Sequence, residues 1–91
     1  MTPVIQDIAL VVKAEVSVSS VQAAIIKGAG ELLESIELFD RYDKVGDGKV
    51  SLAFTLVFRA ADRTLTTEEV NQYRESAILV ASKECGAQLR S

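Results

Sequence analysis

The stretch SLAFTLVFR, residues 51–59, decides the fold of this chain. Large apolar side chains alternate in it with smaller or polar ones, the period of two that is typical of a strand with one buried face. The large side chains belong to Leu52, Phe54, Leu56 and Phe58, and the opposite face carries Ser51, Ala53, Thr55, Val57 and Arg59. Burial of each large side chain is worth roughly 1.5–3 kcal/mol, so we predict that helices cover that face. The opposite face is a shallow floor that needs no cover and is accessible to a flat ligand.

Length and composition indicate one small globular domain. The chain has 91 residues, 48% of them hydrophobic and 25% charged, which is ordinary for a folded chain near the lower size limit for a single core. No apolar run is longer than the one at residues 8–12, which is far shorter than the ~20 residues that span a bilayer. No secretory signal is recognisable. We therefore expect a single domain over residues 1–91, with no membrane partner.

Rare and absent residue types exclude several kinds of site. The chain has no histidine, which excludes Ser-His-Asp triads and the commonest zinc sites. Its one cysteine, Cys85, excludes an internal disulfide and fits a reducing cytoplasm. A net charge of −3 argues against a strong sequence-independent nucleic-acid binder, and we expect no DNA partner. A module that reads a few bases while a larger partner holds the phosphates is compatible with this charge.

Hydrophobic periodicity predicts the remaining elements of the first half. The near-continuous apolar run within residues 6–12 predicts a central strand that is buried on both faces. Ser17 supplies a helix cap, and apolar residues recur at helical spacing from there to Ile36. A second strand is predicted over Glu37–Asp43, and the glycine-containing turn at 45–49 predicts a hairpin with the third strand.

The second half completes the pattern. Thr66 and Glu69 have the spacing of a capping box, and they begin a helical stripe that runs to about Glu84, where Gly86 is placed to end it. Residues 87–90 are long enough for a short final strand. The order strand, helix, strand, strand, helix, strand predicts an α+β ferredoxin-like fold, as in RRM domains, with a four-stranded antiparallel sheet and two helices on one face.

The two faces of the second strand decide what lies on the small-residue floor. Alternation predicts that Phe39 points inward, toward Phe54 and Phe58. The uncovered face then carries Ala9 and Val11 of the first strand, Leu38, Asp40 and Tyr42 of the second, and Ser51, Ala53 and Thr55 of the third. A tyrosine ring beside small side chains is a stacking platform for a base. A neighbouring carboxylate accepts both donors of a guanine edge, N1–H and N2–H₂. The alternative is that Tyr42 packs sideways across the hairpin and Asp40 is only solvated.

No pattern in the chain predicts catalysis, a cofactor or a metal. Residues 43–48 resemble the start of a calcium loop, but Val45 occupies the third position and Phe54 the twelfth, where ligands are required. Cys85 has no histidine or second cysteine beside it, so a half-buried position near a helix end is the simpler interpretation. Helix capping explains the acidic cluster after Thr66.

Several segments resemble the C-terminal ferredoxin-fold anticodon-binding domain of the bacterial phenylalanyl-tRNA synthetase beta subunit. The matching segments are QDIALVV at 6–12, GAGELLESIELFDRY at 28–42, GKVSLAFTLVFRAADRTLT at 48–66, EEVN at 68–71 and GAQLR at 86–90. The resemblance implies a non-catalytic domain, excised from a larger subunit, that binds the anticodon stem-loop of tRNA(Phe). It also implies that other beta-subunit domains and the alpha subunit are partners, and that aminoacylation is done elsewhere in that ligase.

Family residues that hold the first anticodon base, a guanine, correspond here to Tyr42, Asp40, Ser51 and Ala9. Ala53 completes the predicted site by permitting close approach. Candidate phosphate partners are Arg41, Lys44, Lys49 and Arg90, whereas Arg59 and Arg63 are expected to pair with nearby acids such as Asp62 or to cap local structure. The chain departs from the family pattern at Gln6, where arginine is frequent, and at Val50, where a second lysine is common.

Three other classes share this order of elements. A small-molecule-sensing domain of the ACT type has a glycine-containing loop after the first strand, and residues 15–19 contain no glycine. An acylphosphatase-like enzyme has an arginine there, and residues 13–20 contain none. A protein-docking domain with no RNA contact stays open.

Overall fold

The predicted ferredoxin-like fold is confirmed by a computed structural model, which describes residues 2–90. The elements are β1 (Val4–Lys13), α1 (Val18–Ala29), β2 (Leu33–Gly46), β3 (Lys49–Phe58), α2 (Thr67–Cys85) and β4 (Gln88–Leu89). The sheet has the order β2-β3-β1-β4 with antiparallel neighbours. The termini of the predicted domain, residues 1 and 91, lie outside the described residues. Neither helix of the described chain is long and apolar enough to cross a membrane.

The large side chains of residues 51–59 form the centre of the core, as predicted. Leu52, Phe54, Leu56 and Phe58 are at most 1% exposed. Strand β1 pairs with β3 over ten consecutive positions, so that Ile8, Leu10 and Val12 join the same face. The helices cover this face with buried residues such as Val21, Ile25, Val70 and Ala77. Burial of this apolar surface is the main favourable contribution to folding.

The prediction that β1 is buried on both faces is wrong. Ile8, Leu10 and Val12 are buried, whereas Ala9 and Val11 on the other face are only half-buried. An apolar run predicts two buried faces only where layers pack on both sides of the sheet. Here both helices lie on one side, and the small side chains of β1 stay accessible on the other.

Helix α1 ends seven residues before the end of the predicted helical stripe. Gly30 takes φ 84° and ψ −167°, and its N–H donates to the Ile26 carbonyl, which closes the helix. Leu33 and Ile36 then belong to β2 and pack on the core from the sheet. Strand β2 therefore begins at Leu33 and not at the predicted Glu37, because a glycine that ends the helix also ends the helical period.

A close approach of the two helices requires glycine at position 28. A Cβ at Gly28 would lie 2.6 Å from the Ala77 Cα and 2.6 Å from the Ser76 carbonyl oxygen. This contact offsets the poor helix propensity of glycine, about 1 kcal/mol relative to alanine. The neighbours at this position therefore belong to helix α2 and not to the sheet.

The predicted caps and hairpin are confirmed. Thr66 and Glu69 form a complete capping box, and Gly86 ends α2 in the left-handed conformation at φ 67°. The β2–β3 loop has two residues, Asp47 at φ 56° and Gly48 at φ 69°, which is the pattern of a type I′ turn. The hairpin is long, since β2 has fourteen residues and each residue of a strand adds roughly 3.3 Å. The longest dimension of the molecule is 44 Å.

Candidate nucleic-acid interface

The face of the sheet opposite the helices, called here the open face, is arranged in rows of register partners. One row joins Asp40, Ala53 and Ala9, and the next joins Tyr42, Ser51 and Val11. Successive rows are two residues apart along each strand, which is about 6.6 Å. The predicted neighbours Asp40, Tyr42, Ser51, Ala53 and Ala9 are therefore brought together on one surface.

A β-bulge at Phe39 creates this arrangement. Leu38 is the partner of Phe54 and Asp40 is the partner of Ala53, so β2 has one residue more than β3 between these pairs. An extra residue reverses the alternation of faces beyond it. Leu38 accordingly packs on the core, whereas Phe39 is 55% exposed. The predictions that Phe39 packs with Phe54 and Phe58 and that Leu38 lies on the open face are both wrong.

Tyr42 carries a cation on its ring. The guanidinium carbon of Arg90 lies 5.3 Å from the centroid of the Tyr42 ring, within the range of a cation–π interaction. The backbone N–H of Arg90 donates to the Ala9 carbonyl at 2.7 Å, which holds this end of the chain beside β1. Tyr42, on the edge strand β2, thus contacts Arg90, which follows the opposite edge strand β4.

Ser51 lies in the same row of the open face as Tyr42. It is only 5% exposed, although it is on the uncovered face of the sheet. Its register partners are Tyr42 on one side and Val11 on the other. Because Ser51 is almost fully buried, a ligand reaches its hydroxyl only after neighbouring side chains move.

Asp40 is the accessible carboxylate of the site. It is exposed, and within residues 2–90 it has no ion-pair partner. The alanines beside it, Ala53 and Ala9, are half-buried and add little height. The carboxylate thus lies at the end of a row of small side chains, and the Cα of Tyr42 is about 6.6 Å from that of Asp40 along the same strand.

Charge is divided between the two ends of the open face. At one end Thr55 lies between Glu37 and Asp7, and its hydroxyl donates to the Asp7 carboxylate at 2.9 Å. At the other end, one row beyond Tyr42 and Ser51, Lys49 is paired with Lys13. Sequence reasoning missed Lys13, although its period-two spacing from Ala9 and Val11 could have revealed it.

Comparison with known families identifies the family of this domain. The model of the ferredoxin-fold anticodon binding domain matches residues 1–90. The chain belongs to this family. The bulged β2 strand and the alanines of the open face therefore lie within an anticodon-binding domain.

The relatives of this anticodon-binding domain are much longer proteins. The chain is 54% identical over 87 residues to the phenylalanine–tRNA ligase beta subunit of Thermobifida fusca, covering 93% of this chain and 10% of that protein. It is 56% identical over 88 residues to the beta subunit of Streptomyces avermitilis, covering 94% and 11%. The Mycobacterium leprae beta subunit is 47% identical over 90 residues, covering 97% and 11%. The domain thus spans about a tenth of the length of the curated relatives it matches.

Not every predicted phosphate partner of the anticodon-binding domain lies on the open face. Arg41 is the register partner of the buried Leu52 and so projects on the helix side, where its Nε lies 2.9 Å from the Asp43 carboxylate. Lys44 is exposed near the end of β2, close to the β2–β3 loop. Arg63 pairs with Asp62, as expected, and also with Glu69, and Arg59 pairs with Glu34.

Cys85 of the anticodon-binding domain is half-buried at the end of α2, as predicted. Burial raises the pKa of its thiol, with a smaller contribution from the nearby Glu84 charge. A raised pKa keeps the thiol protonated near neutral pH, the opposite of an activated nucleophile. In residues 2–90 no group of three or more His, Cys, Asp or Glu side chains is placed to hold a metal ion.

Proposed function

We propose that the open face binds the anticodon loop of tRNA(Phe) and recognises a guanine at the first anticodon position. The observation that supports this most directly is the bulge at Phe39, which places Asp40 and Tyr42 side by side on the uncovered face of a family member. A straight β2 strand in this register would put Leu38 and the two polar residues on the same face. Because of the bulge, Leu38 packs on the core, whereas Asp40 and Tyr42 lie on the open face, where a ligand can reach them.

Tyr42 supplies the stacking surface in this proposal. Stacking of one unpaired base on an aromatic side chain is worth about 1–3 kcal/mol. In the free domain the Arg90 guanidinium occupies that ring face. A base that stacks on Tyr42 takes the place of the guanidinium, which then moves toward the RNA backbone. The cation–π contact holds the ring ready before the base arrives.

Asp40 supplies the base discrimination. Its two carboxylate oxygens accept the N1–H and N2–H₂ donors of guanine together. Adenine presents an acceptor at N1, so that it would face the carboxylate with a repulsive edge. Because Asp40 has no ion-pair partner among the described residues, no cation has to be displaced before the base binds.

Ala9, Ala53 and Ser51 set the height of the base above the sheet. The alanine pair is directly cross-strand, and its small side chains let the edge of the base approach the backbone. Ser51 offers its hydroxyl to the ligand once neighbouring side chains have moved. Lys49, one row beyond, provides a positive charge at the border of the site.

The domain acts, in this proposal, as a non-catalytic part of a larger cytoplasmic enzyme. The relatives named above are phenylalanine–tRNA ligase beta subunits, of which this chain covers about a tenth. We propose that this chain is one domain of such a subunit, with the remaining beta-subunit domains and the alpha subunit as partners. Aminoacylation takes place in those partners, and this domain contributes recognition of the tRNA.

The direct test is an NMR titration of the isotope-labelled chain with a short hairpin RNA that carries a tRNA(Phe) anticodon loop. The comparison RNA has adenine in place of the first anticodon guanine. We expect the shifts to concentrate at Ala9, Asp40, Tyr42 and Ser51, and the guanine loop to bind more tightly. Equal affinity for the two loops would overturn the base-reading role of the open face.

A further inference from the structure

Two lysines face the same side of the sheet directly opposite each other. Lys13 of β1 and Lys49 of β3 are register partners, and the flanking pair, Val12 and Val50, points into the core. The lysine side chains therefore project together from the open face. Within residues 2–90 neither ammonium group has an ion-pair partner.

Such a pair is unfavourable unless an anion is bound. Like charges directly opposite on neighbouring strands repel, and side chains in this position are only about 4.5–5.5 Å apart at Cβ. The backbone under them is fixed, because the Ala14 N–H donates to the Gly48 carbonyl at 2.8 Å and extends the pairing beyond the lysines. The two ammonium groups are therefore held close enough to contact one anionic group at the same time.

The position of the pair indicates which anion it meets. The lysine row lies next to the row of Tyr42 and Ser51, about 6.6 Å along the strands. The acidic side chains of the open face, Asp7, Glu37 and Asp40, lie on the opposite side of Tyr42. A nucleotide whose base edge points to Asp40 is therefore oriented with its backbone toward the lysines.

We propose that Lys13 and Lys49 together bind one phosphate of the RNA, the one that adjoins the base stacked on Tyr42. This inference rests on the proposed function and adds a phosphate contact to the base contact. Asp40 then selects the base, and the lysine pair fixes the direction in which the strand crosses the sheet. The phosphate contact is independent of sequence.

Salt dependence of binding tests this proposal. The logarithm of the affinity falls linearly with the logarithm of the salt concentration, by about 0.7 for each phosphate contact of a single strand. We would measure binding of the guanine and adenine hairpins between roughly 50 and 200 mM salt for the parent chain, Lys13→Gln, Lys49→Gln and the double variant. Glutamine keeps most of the length of the stem and removes the charge.

The matched control is Lys83→Gln. Lys83 is an exposed residue in the last turn of α2, on the helix side of the sheet, and it has no ion pair within residues 2–90. This variant changes the net charge by the same amount as each single variant. Any effect of net charge alone therefore appears in the control as well.

The expected result is a double variant whose slope is smaller than that of the parent by about 0.7, with both RNAs. A decrease about twice as large would mean that the lysines bind separate phosphates, and a decrease no larger than twice that of Lys83→Gln would mean that they bind none. Either result overturns the shared phosphate site. If the parent chain binds both RNAs equally but the double variant still loses the expected slope, the base-reading proposal fails and the phosphate site stands. An absence of binding by the parent at every salt concentration overturns both.

Discussion

Arg90 and Tyr42 meet above the open face, with the guanidinium carbon 5.3 Å from the ring centroid, although Tyr42 belongs to β2 and Arg90 follows β4. Strands β3 and β1 lie between them. The contact therefore bridges the width of the sheet and joins Arg90 to the proposed base site.

A double-mutant cycle measures the Arg90–Tyr42 contact. With Arg90→Ala, Tyr42→Ala and the double variant, we expect a coupling energy of about 0.5–1 kcal/mol in the free energy of unfolding, since an exposed cation–π pair is worth that much. Urea unfolding supplies the values. Arg74→Ala combined with Tyr42→Ala is the control, because Arg74 lies in α2 on the other side of the sheet. A coupling no larger than in that control would show that the ring is free in solution.

Asp40→Asn should reduce the preference for guanine over adenine at the first anticodon position by roughly 1–3 kcal/mol, the worth of a good bidentate base contact. The asparagine retains one acceptor but turns a donor toward the donor pair of guanine. Glu37→Gln is the matched control, since it removes the same charge from the same strand and face. A comparable loss of discrimination in both variants would assign the effect to charge and not to base recognition.

Phe54→Ala should lower the free energy of unfolding by about 3–5 kcal/mol, because it leaves a cavity in the core. Phe39→Ala should change it by no more than about 0.5 kcal/mol, because the residue is 55% exposed and exposed positions rarely contribute more. Denaturant titration of both variants tests the bulge directly. Equal losses would show that Phe39 is packed, and hence that β2 is not bulged at this residue.

Gly28→Ala should destabilise the chain although alanine is the better helix former. The new Cβ would lie 2.6 Å from Ala77, and overpacking of this kind costs about 1–3 kcal/mol, more than the ~1 kcal/mol gained in propensity. Ala23→Gly, at an exposed position of the same helix, measures the propensity effect alone. A stabilised Gly28→Ala variant would mean that the helices separate without cost.

Acid should weaken the start of α2 through Glu69. The hydrogen bond from Arg63 and then that from the Thr66 N–H hold the pKa of the Glu69 carboxyl below its ordinary 4.5. The unfolded chain takes up a proton first as the pH falls, so the stabilisation is complete above pH 4.5 and is lost as the pH drops through the lower pKa of the folded state.

Comparison of the parent with Glu69→Gln isolates this effect, because glutamine keeps the acceptor of the capping box and removes the charge. The difference in unfolding free energy should be constant at neutral pH and should shrink below pH 4.5. Glu75→Gln, at an exposed position of α2, is the control. A difference that grows toward acid pH would contradict the prediction.

The sequence alone determined the order of the elements and most of the core. The alternation in residues 51–59, the capping box at Thr66 and the glycine turn before Lys49 are local signals, since each depends on side chains only a few residues apart. They were sufficient for the ferredoxin-like architecture. They also placed Asp40 and Tyr42 on the face of Ser51 and Ala53. They assigned Leu38 to the open face and Phe39 to the core, and the structure shows the reverse.

Only the tertiary structure decided the features that depend on register and on distant contacts. The bulge at Phe39 follows from pairing with β3, because burial of Leu38 beside Phe54 is more favourable than its exposure to water. A prediction that assumes strict alternation along the strand has no place for the extra residue of a bulge. The pairing of Lys13 with Lys49 and the placement of Arg90 over Tyr42 join residues that are more than thirty positions apart in the chain. A periodic pattern reports which face a residue occupies within its own strand, whereas the partner across the sheet is set by the packing of the whole domain.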